Sequence, residues 1–181
     1  MDKGANVDTE QAIYGLNVAL EEGYTDIVTL ILDTSANIIA LDDACHRGDT
    51  DIVKLSLDKG AAVNTHQALD SLNVACEKGY TDIVNLLLDK GSDVNSKQAL
   101  HGLDVACKKG HAEIVDLFLD KGSVALHSLK VACEKGHTEI VKLLLDKGMD
   151  ANSWEASHGL KVACKRVTLR LSNFFWTREW M

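Results

Sequence analysis

A short sequence unit that recurs along the chain limits its fold more than any other feature. It reads LKVACEKGHTEIVKLLLDKG at Leu129–Gly148 and returns with few changes at Leu72–Gly91 and Leu103–Gly122. Looser copies occupy Leu16–Thr34 and Leu41–Gly60. Self-similarity at a fixed period is typical of repeat proteins, in which each unit buries its apolar face against its neighbours. The chain is therefore predicted to form one repeat array.

The glycine that closes the first half of each unit gives the period of the array. It occurs at Gly23, Gly48, Gly79, Gly110 and Gly136, so the intervals are 25, 31, 31 and 26 residues. The longer interval is the parent period. The two shorter units have lost residues at the same place, between the second half of one unit and the leucine that opens the next.

The second half of each unit is predicted to be a helix. Apolar residues recur at helical spacing within Thr138–Lys147 and form a broad stripe. Thr138 is predicted to be the N-cap residue, because its hydroxyl can accept a hydrogen bond from a free backbone N–H group. Gly148 is predicted to take the left-handed conformation that ends the helix.

The first half of each unit is also predicted to be a helix, because four repeats carry a variant of the capping box. In this variant Asn or Asp precedes Gln or Glu by three residues, as in Asn64–Gln67 and Asn95–Gln98. The asparagine is therefore predicted to be the N-cap residue. The helix after Asn95 should begin at residue 96 or 97 and end near residue 109. This leaves little chain for a β-hairpin between repeats, so the predicted fold is all-α.

The predicted array covers residues 1–165, and residues 166–181 diverge from the repeat pattern. Residues 1–8 resemble the tail of a second helix of which the body is missing. The aromatic segment 166–181 is predicted to be either a cap, as a degenerate helix or a strand, or an exposed docking tail. The helix-pair units lie near residues 9–34, 38–60, 65–91, 96–122, 125–148 and 153–165 onward.

Residues Val131–Asn152, VACEKGHTEIVKLLLDKGMDAN, resemble the ankyrin repeat. The resemblance covers roughly residues 1–165 and implies a stack of helix pairs with a concave binding face and no catalytic chemistry. Two features depart from the family, because the Thr-Pro-Leu-His start is absent and the period is 31 rather than 33 residues. We therefore expect an ankyrin-like helix-pair solenoid of about five to six repeats with little or no β-hairpin.

Charge and hydropathy exclude several classes of function. The formal net charge of −8 argues against a general binder of nucleic acid or of anionic membranes. No apolar run is long enough for a membrane span, and the first residues do not resemble a signal peptide. We predict a monomeric, intracellular protein, with the cytoplasm as the expected compartment and the nucleus left open.

The five cysteines occupy one slot in successive repeats: Cys45, Cys76, Cys107, Cys133 and Cys164. Neighbouring helices lie about 8–10 Å apart, which is too far for a disulfide between adjacent slots. No Cys-x-x-Cys pair is present to chelate zinc. We predict buried thiols in the seam between repeats, with no metal and no cofactor, and a redox or metal protein is the least favoured alternative.

Residues that differ between repeats are better candidates for binding, because slots that build the fold should be shared by all copies. They are predicted to line one side of the first helices and to bind another protein. The alternative interpretations are neutral drift on a solvated face and a structural spacer whose functional domain lies elsewhere. The candidate residues are Tyr14, Asn17, Asp42, Arg47, Asp70, Asn73, Lys78, His101, Asp104, Lys109, His127, Lys130, Lys135, His158 and Lys161.

Overall fold

The structure is a computed structural model, and it describes residues 9–22, 24–33, 37–125, 127–149, 154, 157–159 and 161–162. Within these residues there are ten named α-helices and no strand. The predictions for residues 1–8, for Cys164 and for the segment 166–181 lie outside the described residues. The helices are α1 Thr9–Glu21, α2 Thr25–Leu32, α3 Asn37–Arg47, α4 Thr50–Asp58, α5 His66–Lys78, α6 Thr81–Asp89, α7 Lys97–Lys109, α8 Ala112–Asp120, α9 Ser128–Lys135 and α10 Thr138–Asp146.

The chain divides into two compact units, Met1–Asp93 and Val94–Met181. The first unit contains the helix pairs α1/α2, α3/α4 and α5/α6, and the second contains α7/α8 and α9/α10. Inside each unit a first helix packs on the next first helix, and a second helix packs on the next second helix. This arrangement confirms the predicted all-α helix-pair repeat fold, and residues 92–96 contain no paired strands.

The predicted bounds of the helix after Asn95 are correct, but the predicted N-cap residue is wrong. Helix α7 begins at Lys97, and its N-cap is Ser96, whose Oγ accepts a hydrogen bond from the backbone N–H of Ala99 at 3.1 Å. Helix α5 is capped in the same way by Thr65. The hydroxyl residue that follows each asparagine takes the cap, because only one side chain can reach the first free N–H groups.

The second helices also begin differently from the prediction. Thr138 is the first residue of α10 rather than its N-cap, and the N-cap position holds His137 without a capping hydrogen bond from its side chain. Gly148 has a φ of 91°, in agreement with the predicted left-handed end of the helix.

The core of each unit consists of the apolar stripes that the sequence predicts. Leu72 and Leu103, which open the repeated unit, are 0% exposed, and so are Ile83 and Phe118 on the second helices. These anchor leucines therefore belong to the core, where burial of apolar surface stabilises the stack.

The cysteines of the repeated slot are buried free thiols in the part of the chain that the structure describes, as predicted. Burial in apolar surroundings disfavours the thiolate, and the carboxylate of Asp42 adds to this effect at Cys45, so the pKa of Cys45 is raised to about 12. Burial raises the pKa of Cys107 to about 12 as well. These thiols are structural and are not activated nucleophiles.

Candidate functional site

Most candidate binding residues lie on the first helices. His127 is the N-cap residue of α9, and His158 and Lys161 lie in helical residues after α10. The structure divides the candidates by exposure. Ten of them are exposed: Tyr14, Arg47, Asp70, Lys78, His101, Lys109, His127, Lys135, His158 and Lys161. The other five share the position after the anchor leucine and are partly buried: Asn17, Asp42, Asn73, Asp104 and Lys130. The two sets therefore have different roles.

The position after the anchor leucine joins neighbouring first helices. Ser71 Oγ donates a hydrogen bond to Asp42 Oδ1 at 2.5 Å, and Ser128 Oγ donates one to Asp104 Oδ1 at 2.9 Å. In both cases the serine immediately precedes the anchor leucine of the following repeat. The two aspartates are therefore used inside the stack, and we leave them out of the proposed binding surface.

Between neighbouring first helices, the residue before the anchor leucine must be small where the facing position carries no aspartate. Gly159 holds the serine position opposite Lys130, and a Cβ atom at Gly159 would lie 2.9 Å from Cys133 Cβ and 3.0 Å from Lys130 Cα. Real Cβ atoms do not approach other atoms this closely. The helices thus come close together here, and the residue at this position is chosen by packing.

Lys78 and Arg47 are exposed candidates that also make contacts at helix ends. Lys78 Nζ donates a hydrogen bond to the carbonyl oxygen of His46 at 2.5 Å, at the C-terminus of α3, where a cation is favoured by the helix dipole. Arg47 pairs with Asp43 at 3.2 Å and with Asp49 at 2.8 Å. Both side chains therefore stabilise helix ends.

Arg47 also borders an open depression that is lined by Asn17 and by residues 47–52. The amide oxygen of Asn17 is buried without a hydrogen-bond partner among the described residues. The charge of Arg47 at the border of this depression is balanced by its pairs with Asp43 and Asp49.

In two repeats, the ring of the residue after the helix-ending glycine packs against the helix-ending glycine of the preceding repeat. A Cβ atom at Gly48 would lie 2.8 Å from the ring of Tyr80, and one at Gly110 would lie 2.9 Å from the ring of His137. His137 Nε2 also lies 3.1 Å from the carbonyl oxygen of Lys108. Gly48 and Gly110 have φ values of 85° and 92°, so both the backbone conformation and the ring contact require glycine.

The asparagine before each N-cap residue bridges successive loops. Asn64 Nδ2 donates to the carbonyl oxygen of Gly91 at 2.9 Å, and Asn64 Oδ1 accepts from the N–H of Asp93 at 2.9 Å. Asn95 makes the equivalent bonds to Gly122 at 3.3 Å and to Val124 at 2.9 Å. These side chains supply loop-to-loop hydrogen bonds in an array that has no β-hairpin within the described residues.

The acidic residues near the ends of the second helices form ion pairs with the next repeat. Lys59 lies 2.6 Å from Asp33, and Lys90 lies 2.8 Å from Asp58. Lys147 pairs with Asp120 and, at 2.9 Å, with Asp116. The hydrogen bond and the charge of Lys90 lower the pKa of Asp58, and Asp120 followed by Asp116 raises the pKa of Lys147. These acidic residues thus form an ion-pair ladder between repeats.

Several of these roles were missed by sequence reasoning, although the sequence carries a signal for each. The Asn-Thr and Asn-Ser dipeptides at residues 64–65 and 95–96 contain two side chains that can cap, and only one of them can occupy the N-cap. Serine precedes the anchor leucine only in the repeats that follow Asp42 and Asp104. Among the described His, Cys, Asp and Glu residues, no group of three or more is arranged to hold a metal ion.

The comparisons agree with this geometry. A family model of ankyrin repeats, three copies long, matches residues 16–98 and 99–155. No curated protein matches the chain. In the described part of the structure, every helix is too short or too polar to cross a membrane.

Proposed function

The chain belongs to the ankyrin repeat family, and we propose that it is a non-catalytic module that binds another protein through the exposed first-helix residues. Ankyrin repeats are generally protein–protein interaction modules and are generally non-catalytic. The proposal treats the chain as a monomeric, intracellular protein, as the sequence predicts.

One observation carries this proposal. The packing slots of the first helices are repeated, because Leu72, Leu103 and Leu129 are all buried and a cysteine follows each of them at the same spacing. The slot two residues before the anchor leucine holds Tyr14, Ile39, Asp70, His101 and His127 in successive repeats, and all of them except Ile39 are exposed. A preformed helical surface with variable side chains binds through many modest contacts, without first ordering a loop.

Affinity capture with two matched variants tests the proposal. The first variant replaces four exposed first-helix-face residues with alanine, namely Tyr14, Asp70, His101 and His127. The control variant replaces exposed second-helix residues instead, namely Lys54, Asp82, Glu139 and Lys142. We expect proteins retained by the wild type and by the control to be lost from the first variant. Loss from the control alone would place the binding surface on the second helices and would refute the proposal.

The alternative of a structural spacer makes a different prediction for the same experiment. If the chain is only a spacer, the wild type and the control variant will not capture the same protein. Circular dichroism of all three proteins shows whether each variant keeps the helical fold, so a loss of binding is not confused with unfolding.

A further inference from the structure

The charge of the first helices reverses between the two units, whereas the charge of the second helices does not. Helices α1, α3 and α5 carry six acidic and two basic residues, and α7 and α9 carry two acidic and five basic residues. The second helices carry five acidic residues and one basic residue in each unit. The reversal is therefore confined to the first helices, which carry most of the candidate residues.

The carboxylates of the first helices in the second unit are engaged in contacts within the unit. Asp104 accepts the hydrogen bond from Ser128 Oγ at 2.9 Å. Glu134 lies 3.9 Å from Lys130. The exposed ammonium groups of Lys97, Lys108, Lys135 and Lys161 therefore dominate the charge of this surface.

Helix stability alone does not account for these lysines. Cations are favoured at a helix C-terminus, where Lys108 and Lys135 lie. The position that corresponds to Lys108 holds Glu21 in α1 and Glu77 in α5, and both of these helices form. The position that corresponds to Lys135 holds the cations Arg47 in α3 and Lys78 in α5. The helix ends thus accept either sign of charge.

The same surface also carries exposed aromatic and imidazole groups. His101, His127 and His158 occupy one slot in three successive repeats and are all exposed. Trp154 is 69% exposed, and its ring stacks on the ring of His158 with centroids 5.5 Å apart. Exposed tryptophan beside cationic side chains is a frequent composition for a binding anchor. We call the four lysines, these histidines and Trp154 the basic surface.

We propose that the basic surface takes an extended acidic segment of a partner protein; this inference rests on the proposed function. Neighbouring first helices lie about 8–10 Å apart. A segment in the extended polyproline II conformation advances about 3.1 Å per residue with three residues per turn, so carboxylates at every third residue share one side and meet successive repeats. An apolar residue at one end of the segment then contacts Trp154.

A nucleic acid fits the molecule less well than an acidic protein segment. The second helices of this unit are acidic, and the whole chain has a formal net charge of −8, which repels a long polyanion. A short protein segment needs to contact only the basic surface, and its spacing of carboxylates gives specificity that a uniform phosphate backbone lacks.

Fluorescence titration of the full chain tests this inference. In the W176F/W180F background Trp154 is the only tryptophan and reports on binding. One probe is a short peptide with Glu at every third position and a C-terminal Phe. The second probe is a peptide of the same composition with all glutamates adjacent. The third is an oligothymidylate of similar charge.

We expect the spaced peptide to bind at least about tenfold more tightly than the other two probes, which is about 1.4 kcal/mol. K97Q/K135Q/K161Q should weaken this binding at least about tenfold, whereas the second-helix control K54Q/K142Q should leave it unchanged. Equal affinity for the two peptides, tighter binding of the oligothymidylate, or no binding of the spaced peptide overturns the inference. A partner captured through Tyr14 and Asp70 but insensitive to the lysine changes leaves the proposed function intact and refutes only this inference.

Discussion

The two units of the chain are built by the same contacts but present opposite charges on their first helices. Asn64 in the first unit and Asn95 in the second make equivalent bridges, and so do the pairs Asp42–Ser71 and Asp104–Ser128. The reversal of charge leaves these contacts unchanged. Packing therefore fixes the slots that join repeats, and the exposed slots are open to selection for binding.

The largest expected effect concerns the anchor leucines, which test whether the two units are equally well packed. Leu72→Ala and Leu103→Ala each remove a side chain that is 0% exposed, so each should lower the free energy of unfolding by about 2–5 kcal/mol. Leu30→Ala is the control, because Leu30 is 70% exposed, and it should change stability by less than about 0.5 kcal/mol. Urea unfolding measures all three. A loss of stability for only one of the two leucine variants would show that the two units are not equally well packed.

The asparagine bridges give the next largest effect. Asn64→Ala and Asn95→Ala each leave a loop N–H and a carbonyl of the next repeat without their partner. These groups are exposed and can bind water instead, so each change should cost about 0.5–1.5 kcal/mol. Gln67→Ala is a suitable control, because Gln67 is exposed and alanine favours the helix. Thermal unfolding followed by circular dichroism measures the difference. Wild-type stability in both asparagine variants would show that the loops do not depend on these bridges.

Alkaline pH should weaken both units through their buried thiols. The pKa values of Cys45 and Cys107 are raised from 9.0 to about 12, so both thiols stay neutral in the folded chain while the unfolded chain ionises. This stabilisation is complete below pH 9.0 and is lost as the pH rises toward about 12. In urea titrations, C45A/C107A should lose less stability than the wild type between pH about 8 and pH about 11. An equal loss in both proteins would assign the alkaline effect to other groups.

The ion-pair ladder should have the smallest effect on stability, and this effect should be larger in the second unit than in the first. Lys147 faces two carboxylates and Lys90 faces one, so Lys147→Met should lower the thermal midpoint more than Lys90→Met. Exposed pairs are screened, so both differences should shrink at high salt.

The pH dependence of the ladder follows from the direction of each pKa shift. Because the pKa of Asp58 is lowered, its contribution is present above the pKa of the unfolded carboxyl and is lost as the pH falls through the folded value. The raised pKa of Lys147 makes its contribution disappear as the pH rises instead. A difference that persists at high salt would contradict the electrostatic origin.

The helix pairs were predictable because a periodic apolar stripe and a helix-ending glycine are local properties of the chain. The span of α7 was expected within one residue, and the burial of Cys45 and Cys107 followed from their shared slot. The cap was assigned to Asn95 rather than to Ser96, because both residues can accept the same hydrogen bond. The sequence around Asn95 does not reveal that its side chain instead forms hydrogen bonds with a loop one repeat away.

The sequence predicted which positions could form the candidate surface. It did not predict which side chains at those positions make contacts within the stack and which remain exposed. Variation between repeats indicated both Asp104 and Lys135, but only the structure shows that Asp104 accepts a hydrogen bond from Ser128 and that Lys135 is exposed. A residue can differ between repeats because its contact within the stack differs, or because it binds a partner protein. A single sequence does not distinguish these two causes.

The sequence by itself determined the repeat, the two helices of each unit, the apolar core and the reversal of charge along the chain. These features depend on periodicity and composition, which can be read directly from the order of the residues. Only the tertiary structure decided which polar residues join the repeats and which remain exposed, because that depends on side chains that meet at separations such as the 29 residues between Asp42 and Ser71.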